Sequence, residues 1–483
     1  MRRAGILLHP TSLPSAHRDG ALGMQADAFL AFLHGSGMHV WQMLPLGPVH
    51  EDRSPYRALS LNAGGEHLID VRRLRGEAWM RCGGGWARPG KRERFLALAA
   101  RRFMRHAPSE EQARFRAFVV REREWLEPYC AFRVLWRRFR RASWPEWPSS
   151  WRDGAEDAYA RLSHEVPRAL ERECVVQFLF DRQWQALRRA AAPAGIELFG
   201  DIAFYPAPDS VDVWRHRHLF QLDAQGRPTA TAGVPPDAFA REGQAWGAAV
   251  YDWERLAQDD FAWWCARLRV QGRRFDLLRL DHFRGFEAYW SIPAGAPPSA
   301  GEWRPGPGAA LFRALRREPA LPALVAEDLG TITSKVEALR LQFALPGTRV
   351  LQFAFDGDPD NPHLPRNHET DAVAYTGTHD NEPLAGWWRG LAPRERERAL
   401  AMLDLAPQSG PEALRDALLA SPALLAILPM QDVLGLGSLA RMNVPGRPHG
   451  NWRWRLHRDQ FGSELAQRVR ATLKQADRFP YSE

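Results

Sequence analysis

Three carboxylates close three separate apolar runs in this chain. Asp281 ends Phe275-Asp276-Leu277-Leu278-Arg279-Leu280-Asp281, and Glu327 ends Leu321-Pro322-Ala323-Leu324-Val325-Ala326-Glu327. Asp380 ends Ala372-Val373-Ala374-Tyr375-Thr376-Gly377-Thr378-His379-Asp380. Acids at the carboxyl ends of barrel strands converge on one mouth. Two carboxyl groups facing a sugar bond across it are the minimal equipment for glycoside chemistry. Arg279 lies two residues before Asp281, so on a strand both side chains share a face. A guanidinium there keeps the carboxylate ionised, as a nucleophile requires; by itself the pair reads equally as a fixed ion pair. Glu327 follows an apolar run and precedes Asp328, and both features raise a carboxyl pKa toward that of a general acid. Alone, Glu327-Asp328-Leu329-Gly330 is also a good acidic first turn for a helix. Asp380 and His379 suit the binding of sugar hydroxyls, although His-Asp-Asn by itself is ordinary turn chemistry. The combination is stronger than any part. No metal-ligand spacing, phosphate-cradling glycine loop or Gly-x-Ser-x-Gly elbow accompanies it, so no metal or organic cofactor is called for.

Such acids need strands behind them. Short, continuously apolar runs bounded by Gly, Pro or Asp occur at Gly5 to His9, His39 to Leu46, Ile196 to Tyr205 and Phe275 to Leu280. Four more follow at Ala323 to Ala326, Arg349 to Phe355, Ala372 to Thr376 and Leu425 to Met430. Continuous apolarity fits strands covered on both faces. Helix-like segments such as Lys335 to Phe343 and Pro393 to Leu403 lie between them, so the expected fold is a (β/α)8 barrel spanning 1–483. Two gaps are too long for simple crossovers. Residues 70–192, helical in period especially over 92–192, predict a helical insertion. Residues 206–253, rich in turn formers, predict a loop-rich insertion forming a groove wall. Pro293 to Pro307 reads as a flexible lobe.

Composition narrows the classes. The net charge of +8 invites a nucleic-acid reading, but only Lys91, Lys335 and Lys474 are lysines among 65 basic residues. That skew reflects arginine used wherever a cation is wanted. The densest basic run, Arg133 to Arg141, reads as a solvated helix face rather than a phosphate surface. Cys82, Cys130, Cys174 and Cys265 are widely spaced, as expected of free thiols in a reducing compartment. No run is long enough to span a membrane and the start lacks a signal-peptide pattern, so a cytoplasmic protein is expected. The 20 tryptophans suit stacking on sugar rings, although most must serve packing.

These residues, with their flanking segments, resemble the 4-α-glucanotransferases called amylomaltases or disproportionating enzymes, of the α-amylase clan. The likeness runs through Gly5-Ile6-Leu7-Leu8-His9-Pro10-Thr11-Ser12-Leu13-Pro14, Trp41-Gln42-Met43-Leu44-Pro45-Leu46-Gly47-Pro48 and Ser54-Pro55-Tyr56. It continues in Gly200-Asp201-Ile202, Ala232-Gly233-Val234-Pro235-Pro236-Asp237 and Gly243-Gln244-Ala245-Trp246-Gly247. After the three acids come Gln431-Asp432-Val433-Leu434-Gly435-Leu436-Gly437, Ala440-Arg441-Met442-Asn443 and Gly450-Asn451-Trp452. The resemblance implies Asp281 as nucleophile, Glu327 as acid/base and Asp380 as transition-state stabiliser. It also implies glucan contacts from Arg279, His379, Asp201, Tyr56, Gln244, Trp246, Asp328 and Asn451.

The implied substrates are maltooligosaccharides and other α-1,4-glucans, joined by retaining transfer without a cofactor, and the barrel is expected to carry no C-terminal β-sandwich. No nucleic-acid or membrane partner is implied. An α-glucan hydrolase with the same three acids is the alternative, and a non-catalytic glycan binder is a weaker one. The chain departs from the family pattern at His50-Glu51-Asp52-Arg53, at Leu61 to Gly65 and at Ala248-Ala249, all expected at groove walls. These departures bear on chain-length preference rather than on the reaction.

Overall fold

The computed structural model describes residues 2–15, 19–81, 92–236, 242–319, 321–447 and 449–479. Cys82 and Asp237 fall outside them. In chain order the strands are β1 (Arg3–Leu7), β2 (Val40–Gln42), β3 (Glu197–Ile202), β4 (Ala230–Val234), β5 (Gln244–Ala249) and β6 (Leu277–Leu280). They continue as β7 (Ala288–Pro293), β8 (Glu302–Pro305), β9 (Ala323–Ala326), β10 (Thr348–Val350), β11 (Val373–Tyr375) and β12 (Leu425–Pro429). Eight of these form a parallel sheet in the order β10-β11-β12-β1-β2-β3-β6-β9. The ring closes where the Ala326 N–H donates to the Pro346 carbonyl at 2.8 Å and the Thr348 hydroxyl donates to the Ala326 carbonyl at 2.9 Å. The fold is a (β/α)8 barrel, and among the described residues no strand follows β12.

Every apolar run read from the sequence supplies one barrel strand, in the expected order, but most of the strands are shorter. The second stops at Gln42, since Pro45 cannot donate to a ladder. The sixth ends at Val350 and turns into a 3-10 segment, Leu351–Phe353, which buries Leu351 and Ala354 in the layer outside the barrel. Alternation along each strand sets the site. On β6, Leu277 packs inside the barrel and Leu278 and Leu280 pack outside. Arg279 and Asp281 therefore rise above Leu277 on the inner face.

The insertion between β2 and β3 is helical. Its longest helix, Ser109–Arg138, packs along Pro167–Ala191. Arg138, Arg140 and Arg141 of the basic run are exposed as expected, but its first half is not a solvated face. Arg133 is buried and pairs with Glu66 at 3.0 Å, while Arg137 pairs with Glu93 at 2.8 Å and with Glu173. These acids come from three distant segments, so local spacing could not show them. The second insertion also departs from expectation. Residues 206–253 supply β4 and β5, which join β7 and β8 in an antiparallel sheet of order β5-β4-β7-β8. Its Gly- and Pro-rich sequence hides strands that only long-range pairing creates. Gly233 must be glycine here, because a Cβ would lie 2.0 Å from the Gln244 carbonyl oxygen. The Pro293–Pro307 lobe likewise contains the end of β7 and all of β8.

Cys130, Cys174 and Cys265 are buried free thiols. No described helix is long and apolar enough to cross a membrane.

Asp328, expected to contact glucan, is spent on closing the barrel. Its carboxylate accepts from the Thr348 N–H at 2.6 Å and from Arg349 at 3.1 Å, with Arg340 at 3.3 Å. Sequence could not show this because both arginines belong to later segments. Asp328→Ala leaves two buried guanidiniums facing one another with Glu369 alone, and is expected to cost about 3–5 kcal/mol in chemical denaturation.

Candidate active site

The register of β3, β6 and β9 builds the centre of the mouth. Asp201 lies opposite Arg279, and Arg279 opposite Val325. One pleat further, Asp281 and Glu327 are neighbours on the same inner face. The buried Arg279 guanidinium donates to both Asp201 oxygens at 3.0 and 2.9 Å and to Asp281 Oδ1 at 2.8 Å. Its other terminal nitrogen lies 3.9 Å from Glu327 Oε2. Burial opposes its charge, but the carboxylates of Asp201 and Asp281 outweigh that and hold Arg279 well above its ordinary pKa.

Glu327 is poised differently from its neighbour. Burial pushes its carboxyl up to about 8; Arg279 and a backbone N–H pull against that, and the charges of Asp281 and Asp328 add to it. The backbone N–H belongs to His282, which donates to Glu327 Oε2 at 2.7 Å. His282 has φ +49°, a conformation costly for a side-chain-bearing residue. That turn lets the amide following Asp281 hold Glu327. Burial also lowers the His282 ring to about 4, so it is neutral around pH 7.

The third acid stands across the mouth on the loop after β11. Asn443 Nδ2 donates to Asp380 Oδ1 at 2.6 Å, and Arg441 donates to the Asp380 carbonyl at 2.6 Å. His379 Nε2 lies 3.4 Å from Asp380 Oδ1. Both ends of this loop are tied to the buried Asp432, which accepts from the Thr376 hydroxyl at 2.5 Å and the Leu384 N–H at 2.7 Å. Tyr56 connects the two halves: its hydroxyl donates to Asp201 Oδ2 at 2.7 Å while its ring stacks on His379 at 5.3 Å. Trp452 completes this wall, 6.1 Å from Tyr56 and 5.9 Å from His379. Behind it opens a cavity of about 280 Å³ lined by His50, Arg53 and Trp136, so part of the departing His50–Arg53 segment borders the mouth. On the opposite side, the Trp246 ring meets His282 edge-on at 4.8 Å, is 36% exposed, and donates to Gln244 Oε1 at 3.4 Å.

Of the residues expected at the site, Asp201, Arg279, Asp281, Glu327, His379, Asp380 and Tyr56 are therefore brought together, with Gln244 and Trp246 at the rim. Asp328 is not among them. Nor does Asn451 present its amide: it accepts from the Val444 N–H at 3.0 Å and donates to the Val444 and Arg447 carbonyls, shaping its own loop. The reading missed His282, Arg441, Asn443 and Asp432. The last three follow β12, and the strand-end rule that found the acids also points to them. Among the described residues no cluster of three His, Cys, Asp or Glu could hold a metal ion.

Comparison with known proteins identifies the family. The family model described as 4-alpha-glucanotransferase matches residues 8–460. The 4-alpha-glucanotransferase of Thermus thermophilus is 42% identical, covering 99% of each chain. That of Aquifex aeolicus is 40% identical over 95% of this chain and 96% of its own. The structure of Streptococcus agalactiae amylomaltase in complex with acarbose superposes with a TM-score of 0.93 at 30% identity, covering 99% of this chain and all of that one.

The raised Glu327 pKa has a consequence for stability. An unfolded glutamate ionises near 4.5 and the folded one near 8, so the native state binds more protons between those values. Stability from this group is complete below the lower value and is lost as pH rises through the upper one. Between about pH 5 and about pH 9, the melting temperature of Glu327→Gln is expected to fall less than that of the wild type.

Proposed function

This chain belongs to the 4-alpha-glucanotransferase family and is an enzyme acting on α-1,4-glucans, and we propose that it works by double displacement through Asp281 and Glu327. Glu327, protonated, gives its proton to the glycosidic oxygen as Asp281 attacks the anomeric carbon. The leaving glucan departs and a covalent glucosyl-enzyme remains. Glu327, now ionised, removes the proton from the 4-hydroxyl of an acceptor glucan, which attacks the same carbon and restores the linkage with retention. Arg279 orients Asp281 and stabilises its charge. Asp380 and His379 bind the hydroxyls of the sugar being transferred, and Tyr56 forms the floor beneath it. Trp246 and Gln244 receive the acceptor.

The observation that supports this division of labour is the unequal treatment of two neighbouring carboxyls. Asp281 takes a direct hydrogen bond from Arg279, whereas Glu327 is buried, pushed up to about 8 and left 3.9 Å from the same guanidinium. Asp281 has the direct cation contact that a nucleophile uses, and Glu327 is set to carry a proton, as a retaining pair requires. Soluble maltooligosaccharides in the cytoplasm complete the proposal. Arginines of helix Ser109–Arg138 that could have met nucleic acid face carboxylates instead.

Incubation with maltotriose alone separates transfer from hydrolysis. Transfer yields longer maltooligosaccharides together with glucose, whereas hydrolysis yields only shorter products. Asp281→Asn is expected to lose activity on the order of 10⁴-fold or more, and unchanged product formation would refute the assigned chemistry. The value of kcat/KM should decline as pH rises past about 8, where Glu327 loses its proton in the free enzyme. Trp246→Ala opens the acceptor side to water. It is expected to raise the share of hydrolysis, measured as new reducing ends formed per glycosidic bond cleaved.

A further inference from the structure

Away from the mouth, a cavity of about 240 Å³ lies between the insertion helices Ser109–Arg138 and Pro167–Ala191 and the segment leading into β6. Arg121, Arg273 and Arg274 line it with only two acids, Glu122 and Asp181. Those acids are already committed. Glu122 accepts from Arg121 at 2.7 Å, Arg273 at 2.6 Å and Trp125 at 2.6 Å, and Asp181 accepts from Arg121 at 3.2 Å. Arg274 is left over. It is 7% exposed, has no ion-pair partner among the described residues, donates to the Asn62 carbonyl at 2.6 Å and sits 5.6 Å from the Phe180 ring centroid.

A buried charge without a direct counter-charge is costly. Arg267 and Arg478 meet that cost with several backbone carbonyls, whereas Arg274 has one such acceptor among the described residues and an open cavity. Here the remedy is available as space. The cavity has room for several waters or one compact anion, and a guanidinium fork matches the oxygens of a phosphate group in pairs. Burial lowers the pKa of Arg274, with Glu122 and Asp181 compensating only in part. An anion seated against the guanidinium supplies what is missing.

We propose that the cavity lined by Arg274, Arg121 and Arg273 is a binding site for a small phosphate-bearing ligand, separate from the glucan mouth. The aromatic walls, Phe118, Phe180 and Trp125, accept the apolar face of whatever carries the phosphate, whereas free phosphate uses the arginines alone.

The test is the melting temperature and calorimetric titration of the full chain with inorganic phosphate, against sodium chloride at matched ionic strength. Wild type should gain roughly 1–2 °C at about ten times the dissociation constant, with no gain from chloride, and Arg274→Gln should lose the response. Because that substitution removes a charge compensated only in part, its unliganded melting temperature should equal or exceed that of wild type, and its activity on maltotriose should be unchanged. A purely structural arginine, holding only the Asn62 carbonyl, would instead lower the melting temperature and leave the phosphate response alone. An equal response in both proteins, or one no larger than that to chloride, overturns the proposal. Arg274→Lys covers the case in which the glutamine variant does not fold. It should bind phosphate on the order of 10-fold more weakly, and equal affinity would count against the site. A hexose phosphate binding more tightly than phosphate brings in the aromatic walls, and the reverse order assigns the site to free phosphate; both retain it.

Discussion

Arg279 is the side chain on which the mouth is assembled. It is buried inside the barrel, where the carboxylates around it offset the cost of burying its charge. Asp201 meets it from one neighbouring strand, Asp281 from its own, and Glu327 approaches from the other. The arrangement fixes three acids by one cation. It also makes them unequal, since Asp201 and Asp281 take direct hydrogen bonds from the guanidinium and Glu327 does not. Glu327, the most distant, keeps its proton to a higher pH. The difference that separates nucleophile from acid in the proposed mechanism is thus a matter of strand register and of which oxygen lies nearest one guanidinium.

The rest of the fold serves that geometry. The two-residue alternation stacks Arg279 and Asp281 above Leu277, and inner apolar side chains such as Phe199, Val325 and Val373 keep water from beneath them. Asp328 and its arginines seal the ring between β9 and β10 immediately beside Glu327. Asp432 fastens both ends of the loop bearing His379 and Asp380, and Asn443 holds Asp380 itself. The small antiparallel sheet carries Trp246 to the rim of the mouth, where it meets His282, the residue that ties Asp281 to Glu327 through its backbone.

Much of this was legible in the chain because barrel strands announce themselves. They are buried on both faces, so Leu277 to Leu280 or Ala323 to Ala326 read as unbroken apolar runs, and an acid at the end of each stands out. What stayed hidden depends on contacts between distant segments. Glu66, Glu93 and Glu173 neutralise arginines that local spacing assigns to solvent. The strands β4 and β8 contain Gly233 and Pro305, residues that speak for turns until their partners are known. Asp328, which the resemblance placed at the glucan, adjoins Glu327, yet successive residues on a strand point to opposite sides. Asn451 belonged to a matching motif whose side chain builds a loop. Position along a strand end carried the chemistry, and adjacency in sequence did not.

Glu327 holds its proton at neutral pH beside Asp281, which has the direct hydrogen bond from Arg279. Infrared difference titration of the wild type against Glu327→Gln measures this directly, since a protonated carboxyl absorbs apart from a carboxylate. The account predicts one carboxyl, absent from the variant, losing its proton at about 8. Loss of that proton near the ordinary 4.5 of a glutamate would contradict it.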